Sequence, residues 1–273
     1  AFTGWAFKLE TAQFHFREHQ HDFGDKTFRG RKGNFDGDDI LDMLLEDKQT
    51  SVFITRKIYR WFISPEVDEG FAALMAERFF SSRYDIADLM RFVFSSDHFM
   101  SAAMFGRRIK SPIELISGLD KNFTLRFERE EDGMFLQRML GQVLLNPPNV
   151  SGWKEDTGWV DSNSLMLRLK LPSALLNKGG LDWEEPGETA GDLDKMMAPV
   201  GVAPMRDADG RLFRVAPDRS TFLAQLDPGI TNDGLFNMLL QVEASEALRT
   251  NVGTGDLMER VLEILSSPEY QLC

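Results

Sequence analysis

The sequence predicts a mainly α-helical protein, an irregular multi-helix bundle with a small N-terminal β-hairpin and a second short hairpin near residues 200–215. Three observations carry this. Apolar residues recur at three- and four-residue spacing over most of the chain. Capping residues stand in front of several of those stretches. Alternation of period two is confined to short pieces. The chain has 22 Phe against 3 Tyr and 5 Trp, and Phe, having no polar handle, favours packed cores over wet binding faces.

Residues 1–30 read as short extended pieces. Phe14-His15-Phe16-Arg17 alternates apolar and polar, the period of a half-buried strand, and Gly24 and Gly30 bracket a second piece, Lys26-Thr27-Phe28-Arg29. Helices follow. Asp36-Gly37-Asp38-Asp39 supplies carboxylates where a helix N-terminus favours them, ahead of Ile40, Leu41, Leu44 and Leu45. The next helix is expected to bury Phe53, Ile54, Ile58, Trp61 and Phe62. Ser64-Pro65 is read as its end and as the cap and first position of a third helix, which buries Phe71, Leu74, Met75 and Phe79. Asp85 caps a fourth, through Leu89, Met90 and Val93. Ser111-Pro112-Ile113-Glu114 is a full capping box, followed by the stripe Leu115, Ile116, Leu119 and Phe123. A helix over 131–145 carries Phe135, Met139, Leu140, Val143 and Leu144, and Asn146-Pro147-Pro148-Asn149 breaks it. A loop with Trp153 and Trp159 leads to a helix near Ser162.

The expected organisation is a helical core over 1–178 that includes the hairpin and the proline-tryptophan loop, an acidic linker at 179–194, and a C-terminal helical appendage over 195–273 packing on the core. The linker assignment rests on six acidic and no basic residues between Gly179 and Asp194. Asp209-Gly210 between short apolar pieces suggests the second hairpin. Two or three helices close the chain at Ser267-Pro268-Glu269-Tyr270.

Charge excludes some partners. With 31 basic and 43 acidic residues the formal charge is −12, which repels a phosphate backbone, so no nucleic acid is expected, and anionic membrane surfaces are disfavoured. No apolar run approaches the roughly 18 residues of a membrane span, so no transmembrane segment is expected. Any targeting segment is expected upstream of Ala1. Cys273 is the single cysteine, so no internal disulfide is expected.

Candidate chemistry is sparse. His15, His19 and His21 share parity in an extended chain, with imidazoles two residues apart separated by about 6.6 Å. That spacing could share a metal; the preferred reading is the polar face of a hairpin, and no metal or other cofactor is expected. His21-Asp22-Phe23-Gly24-Asp25-Lys26 groups an imidazole, two carboxylates and an ammonium around a glycine. One reading makes His21 a general base, Asp22 its orienter and Lys26 an electrostatic group; the favoured reading is a turn in which Asp and Gly satisfy backbone groups. Asn34-Phe35-Asp36-Gly37-Asp38 begins like a calcium loop and then departs, with Asp39 where Gly and Leu45 where Glu would stand. Ser95-Ser96-Asp97-His98 reads as a cap. In the loop Asn146–Trp159, Asn149, Trp153 and Trp159, together with Trp5 from the N-terminus, are the candidate pocket-lining residues. No nucleophile elbow, phosphate-binding glycine loop, dinucleotide fingerprint or His-Glu-x-x-His is present.

Taken together the motifs resemble a bacterial family, domain of unknown function 1800. The matching pieces are Ala1-Phe2-Thr3-Gly4-Trp5, His21-Asp22-x-Gly24-x-Lys26, Gly37-Asp38-Asp39-Ile40-Leu41-Asp42, Phe53-Ile54-x-Arg56-Lys57, Lys110-Ser111-Pro112-Ile113-Glu114, Pro147-Pro148-Asn149-Val150-x-Gly152-Trp153 with Trp159, and Ser267-Pro268-Glu269-Tyr270. After Trp153 the chain departs from the family's frequent Pro and Gly, reading Lys154-Glu155-Asp156-Thr157. In that family the first of these motifs lies in mid-protein. The resemblance therefore implies the C-terminal half of a bacterial, often exported protein of the periplasm or cell envelope, whose N-terminal helical half is one partner and a second protein another. It implies no established reaction. The leading expectation is an envelope interaction or assembly module; the alternative is an enzyme, such as a hydrolase, built on His21, Asp22 and Lys26.

Overall fold

The computed structural model describes residues 1–177 and 214–273. They are mainly helical, with two-stranded antiparallel hairpins at the N-terminus, as expected. They divide into two compact units, Ala1–Met104 and Phe105–Cys273, each with its own hydrophobic core. The expected linker at 179–194 lies outside the described residues, as does Asp209-Gly210.

The first unit opens with β1 (Trp5–Lys8) and β2 (Gln13–Phe16), paired Trp5 to Phe16 and Phe7 to Phe14. A second hairpin joins β3 (Lys26–Phe28) to β4 (Arg31–Gly33). Its two-residue turn has Arg29 at φ 50° and Gly30 at φ 79°, the doubly positive turn whose twist matches that of paired strands. Then come α1 (Gly37–Leu45), α2 (Lys48–Phe62), α3 (Glu69–Ser81), α4 (Ile86–Phe94) and the short α5 (Asp97–Met100). Asp36 forms a capping box with Asp39, which accounts for the carboxylates of the calcium-like stretch. Asp85 caps α4 through the Asp88 amide, and Ser96 caps α5 through the Phe99 amide at 3.1 Å.

Three expectations in this unit are corrected. Ser64-Pro65 does not start α3: the Ser64 hydroxyl accepts from the Glu66 amide in a turn, and Asp68 caps the helix through the Phe71 amide at 2.8 Å. The buried face of α2 is also not the one expected. Ser51, Thr55 and Tyr59 are buried, while Phe53 and Trp61 are 57% and 56% exposed and Phe62 is exposed too. At 100° per residue the five expected apolar positions span about half the helix circumference, more than one neighbour can cover. The stripe that meets α3 is the one whose small hydroxyl residues allow close approach. Their polar atoms are satisfied within the helix, Ser51 Oγ donating to the Lys48 carbonyl and Thr55 Oγ1 to the Ser51 carbonyl, each at 2.7 Å. The core is Tyr59, Ile63, Met75, Phe79, Leu89 and Val93. Leu74, expected inside, is exposed.

The second unit contains α6 (Pro112–Phe123), α7 (Glu130–Met139), α8 (Ser162–Leu176), α9 (Arg219–Ala224), α10 (Asn232–Leu239), α11 (Glu246–Asn251) and α12 (Leu257–Leu265). The Ser111–Glu114 capping box is present in full, and α6 buries Leu115, Leu119 and Phe123 completely. Leu136, Leu171, Leu175, Val261 and Ile264 complete the centre of this core. Helix α7 stops short of the expected 145. Gly141 takes φ 87°, a left-handed value that ends helices, and Leu144 is exposed. Strand β5 (Arg126–Phe127) pairs antiparallel with β6 (Val215–Ala216), so Val215 takes its partner from the distant Phe127. The C-terminal residues lie against the start of α6: Ile109 and Leu272 form an antiparallel bridge, and Tyr270 is buried. Among the described residues no helix is long and apolar enough to cross a membrane.

Candidate functional site

The candidate site of the first unit is assembled from three sequence motifs that fold onto one another. Gly4 takes φ 83°, and a Cβ there would sit 2.7 Å from the Arg17 carbonyl oxygen, so this turn requires glycine. The turn delivers Thr3 to the loop after β2. The Thr3 carbonyl lies 2.7 Å from His21 Nδ1, and the Thr3 hydroxyl accepts from the Asp22 amide at 2.9 Å. On the other side Trp5 packs against the first turn of α1: a Cβ on Gly37 would fall 2.1 Å from Trp5 Cζ2. The Ala-Phe-Thr-Gly-Trp, His-Asp-x-Gly-x-Lys and Gly-Asp-Asp-Ile-Leu-Asp segments thus hold one another in place.

Within the His21–Lys26 segment Asp22 and Lys26 bond mainly to backbone groups, while Asp25 pairs with Lys32 at 3.6 Å. Asp22 Oδ1 accepts from the Gly24 amide at 2.8 Å. That bond, then the Lys26 ammonium, holds the Asp22 carboxyl below the usual carboxylate range. Lys26 Nζ donates to the Asp22 carbonyl, to the Gly24 carbonyl at 3.0 Å and to Asn34 Oδ1 at 3.4 Å. A carbonyl can only accept, so Nδ1 of His21 carries the proton that Thr3 receives, and Nε2 is the basic nitrogen of the neutral ring. The group that orients the imidazole is therefore the Thr3 carbonyl; Asp22 bonds its own turn. His15 stands in β2 facing Ala6. The strand ends at Phe16 and Glu18–Gln20 turns as a 3-10 helix, so the alternation does not run on to His19 and His21. Among the described residues no three His, Cys, Asp or Glu side chains group as a metal site would need.

Around His21 lies an aromatic surface. Trp5, Phe7, Phe14 and Phe16 share one face of the β1–β2 hairpin by register. Edge-to-face contacts join Phe2 to Trp5 at 5.2 Å, Trp5 to Phe14 at 5.4 Å, Phe16 to His21 at 5.2 Å and His21 to Phe23 at 4.7 Å. These rings are not buried: Phe7 is 58% and Phe14 63% exposed, and Phe2, Phe16 and Phe23 are exposed as well. Alternation in Phe14-His15-Phe16 suggested a half-buried strand, and the structure leaves the apolar side open.

The remaining candidates belong to the second unit. Asn149 is exposed and makes a turn, its Oδ1 accepting from the Ser151 amide at 2.8 Å. Trp153 is half-buried and Trp159 is buried. Trp159 anchors its loop, as does Asp156, whose carboxylate accepts from the Ile109 amide at 2.9 Å. A cleft of about 390 Å³ in this unit is lined by Ser245, Leu248, Asn251, Glu263 and Glu269 among others, and by none of the expected residues. Burial pushes the Glu269 carboxyl up, and the hydrogen bonds it accepts from the Ser245 hydroxyl, from the Glu269 and Ser245 amides and from Ser267 together outweigh that, leaving it below its ordinary value.

A family model described as protein of unknown function (DUF1800) matches residues 1–272. The chain belongs to that family. No curated protein and no solved structure matches it. In this DUF1800 chain three of the quoted motifs meet as a structural node in the first unit, and four contributors, Thr3, Phe2, Phe7 and Phe23, are not announced by the sequence patterns. Thr3 was not singled out because its role is exercised through a backbone carbonyl and one hydroxyl. The exposed Phe2, Phe7 and Phe23 were missed because Phe enrichment was read as core.

Proposed function

We propose that this DUF1800 chain is a protein-interaction module of the cell envelope, and that the aromatic face of the β1–β2 hairpin is its contact surface. The observation that carries the reading is the exposure of Phe7 and Phe14 in a contiguous group of rings; exposed apolar patches of this kind mark interaction sites on soluble proteins. The partners are the helical half that precedes the Ala-Phe-Thr-Gly-Trp motif in family members and a second envelope protein. The commitment of Asp22 and Lys26 to backbone groups supports binding over catalysis.

The test pairs the chain with the separately produced N-terminal half and measures association by calorimetry. Replacing Phe7 and Phe14 with Ser leaves the fold intact, since both are exposed, and weakens association at least tenfold. Unchanged association defeats the reading.

A second reading is favoured by one observation, the fixed tautomer of His21, which leaves Nε2 available as a general base. It requires that the intact protein turn over a substrate and that His21→Gln lower the rate by about 10²–10⁴-fold.

A further inference from the structure

Helix α2 is a cationic element in an acidic chain. Over Lys48–Phe62 it carries Lys48, Arg56, Lys57 and Arg60 and no carboxylate, whereas the whole chain has a formal charge of −12. Two of these cations are engaged within the unit, Lys48 with Glu77 and Arg56 with Glu69, both of α3. The other two lie on the outer face. At 100° per residue Phe53, Lys57, Arg60 and Trp61 fall within about 100° of arc, on the side away from the buried Ser51, Thr55 and Tyr59. All four are exposed. Lys57 Nζ stands 4.7 Å from the centre of the Phe53 ring, so ammonium and ring form one continuous surface. The segment Phe53-Ile54-x-Arg56-Lys57 is one of the family motifs, and it lies outside the node built around Thr3 and His21.

The face has the makeup of a contact surface. Trp and Arg lead the residues that dominate interfaces, and here two aromatic anchors about 12 Å apart on one helix bracket Lys57 and Arg60. Charge decides among the occupants. A second copy docked two-fold on this face would set Lys57 and Arg60 against the same two cations. An anionic bilayer would attract these two groups and repel a chain whose formal charge is −12. Carboxylates carried between apolar residues on a partner helix match both the rings and the cations.

We propose that the outer face of α2 docks an acidic amphipathic helix of a partner protein. Apolar residues of that helix cover Phe53 and Trp61, and its Asp or Glu side chains meet Lys57 and Arg60. This is a second contact surface, and it stands independently of the aromatic hairpin.

The experiment puts a photo-crosslinking amino acid in place of Gln49, which is exposed one turn before Phe53, in the intact protein in its host. Mass spectrometry identifies the captured segment, and the expected capture is an acidic segment of another protein with helix-periodic apolar residues. That segment is then made as a synthetic peptide and titrated against the chain by calorimetry. Trp61→Ser weakens binding about tenfold or more, and Lys57→Glu with Arg60→Glu does likewise. Exchanging the carboxylates of the peptide for Lys restores binding to the doubly reversed chain. Phe7→Ser with Phe14→Ser leaves it unchanged, which separates this surface from the hairpin. All the substituted residues are exposed, so the variants keep the fold, as circular dichroism checks. Capture of lipid, of a second copy, of residues of the same chain or of a segment without carboxylates overturns the proposal. So does no capture at all, or a peptide that binds the Trp61→Ser and charge-reversed chains as tightly as the original.

Discussion

Gly37 is a position where one methyl group decides the geometry of the hairpin. Because Trp5 lies where a Cβ would be, Gly37→Ala should push the indole off α1 and destabilise the first unit by about 1–3 kcal/mol. Tryptophan emission shifted to the red, with a lower midpoint in urea, is the expected result. Lys110 supplies a prediction of pH dependence. Burial lowers its ammonium from the ordinary 10.5 to about 8. Below pH 8 both folded and unfolded chains hold the proton. Between 8 and 10.5 the unfolded chain holds more protons than the folded one, so this group makes stability rise with pH there. Burial raises the Cys273 thiol above its ordinary 9.0 and Tyr270 from 10.0 to about 12. Each of these lowers stability as pH rises past its ordinary value. The net gain is therefore confined to about pH 8–9, and Lys110→Met should remove it in urea titrations at those two pH values. The grouping of His21, Asp22 and Lys26 was legible in the sequence, since the residues are neighbours. Their bonds were not: Thr3 reaches His21 only through the left-handed turn at Gly4, and no spacing rule announces that contact.

Helix starts were the best-read elements, because a cap is a local event written in adjacent residues. Asp36, Asp85, Ser96 and Ser111 all act as the sequence indicates. Ser111→Ala, which removes one arm of the capping box on α6, should cost about 1 kcal/mol, measured by chemical denaturation of the chain. Helix faces and ends were read less well. Period alone gave α2 an apolar arc too wide for one neighbour, and the choice fell to Ser51 and Thr55, whose small side chains let α3 approach. Phe53→Ser should accordingly change stability by no more than about 0.5 kcal/mol, a result that a core Phe would not give. Helix α7 ends where Gly141 turns left-handed, and the proline pair further on only reinforces a stop already made.

At the scale of the molecule, the predicted class holds: helices bury one side each around two separate cores, and the strands are short. Family membership was legible because it rests on the order of many small motifs, and the structure gives several of them a physical purpose: Gly4 for its turn, Gly37 for the indole, Lys26 for two carbonyls. Function was not legible in the same way, since those motifs build a scaffold and present aromatic rings outward without displaying a recognised reaction centre. The central claim is that Phe7 and Phe14 are covered when the whole protein assembles. Hydroxyl-radical footprinting of the isolated chain and of the full-length protein with its partner measures that cover directly. The account predicts strong labelling of both rings in the chain alone and protection of both in the assembly; equal labelling in the two samples would contradict it.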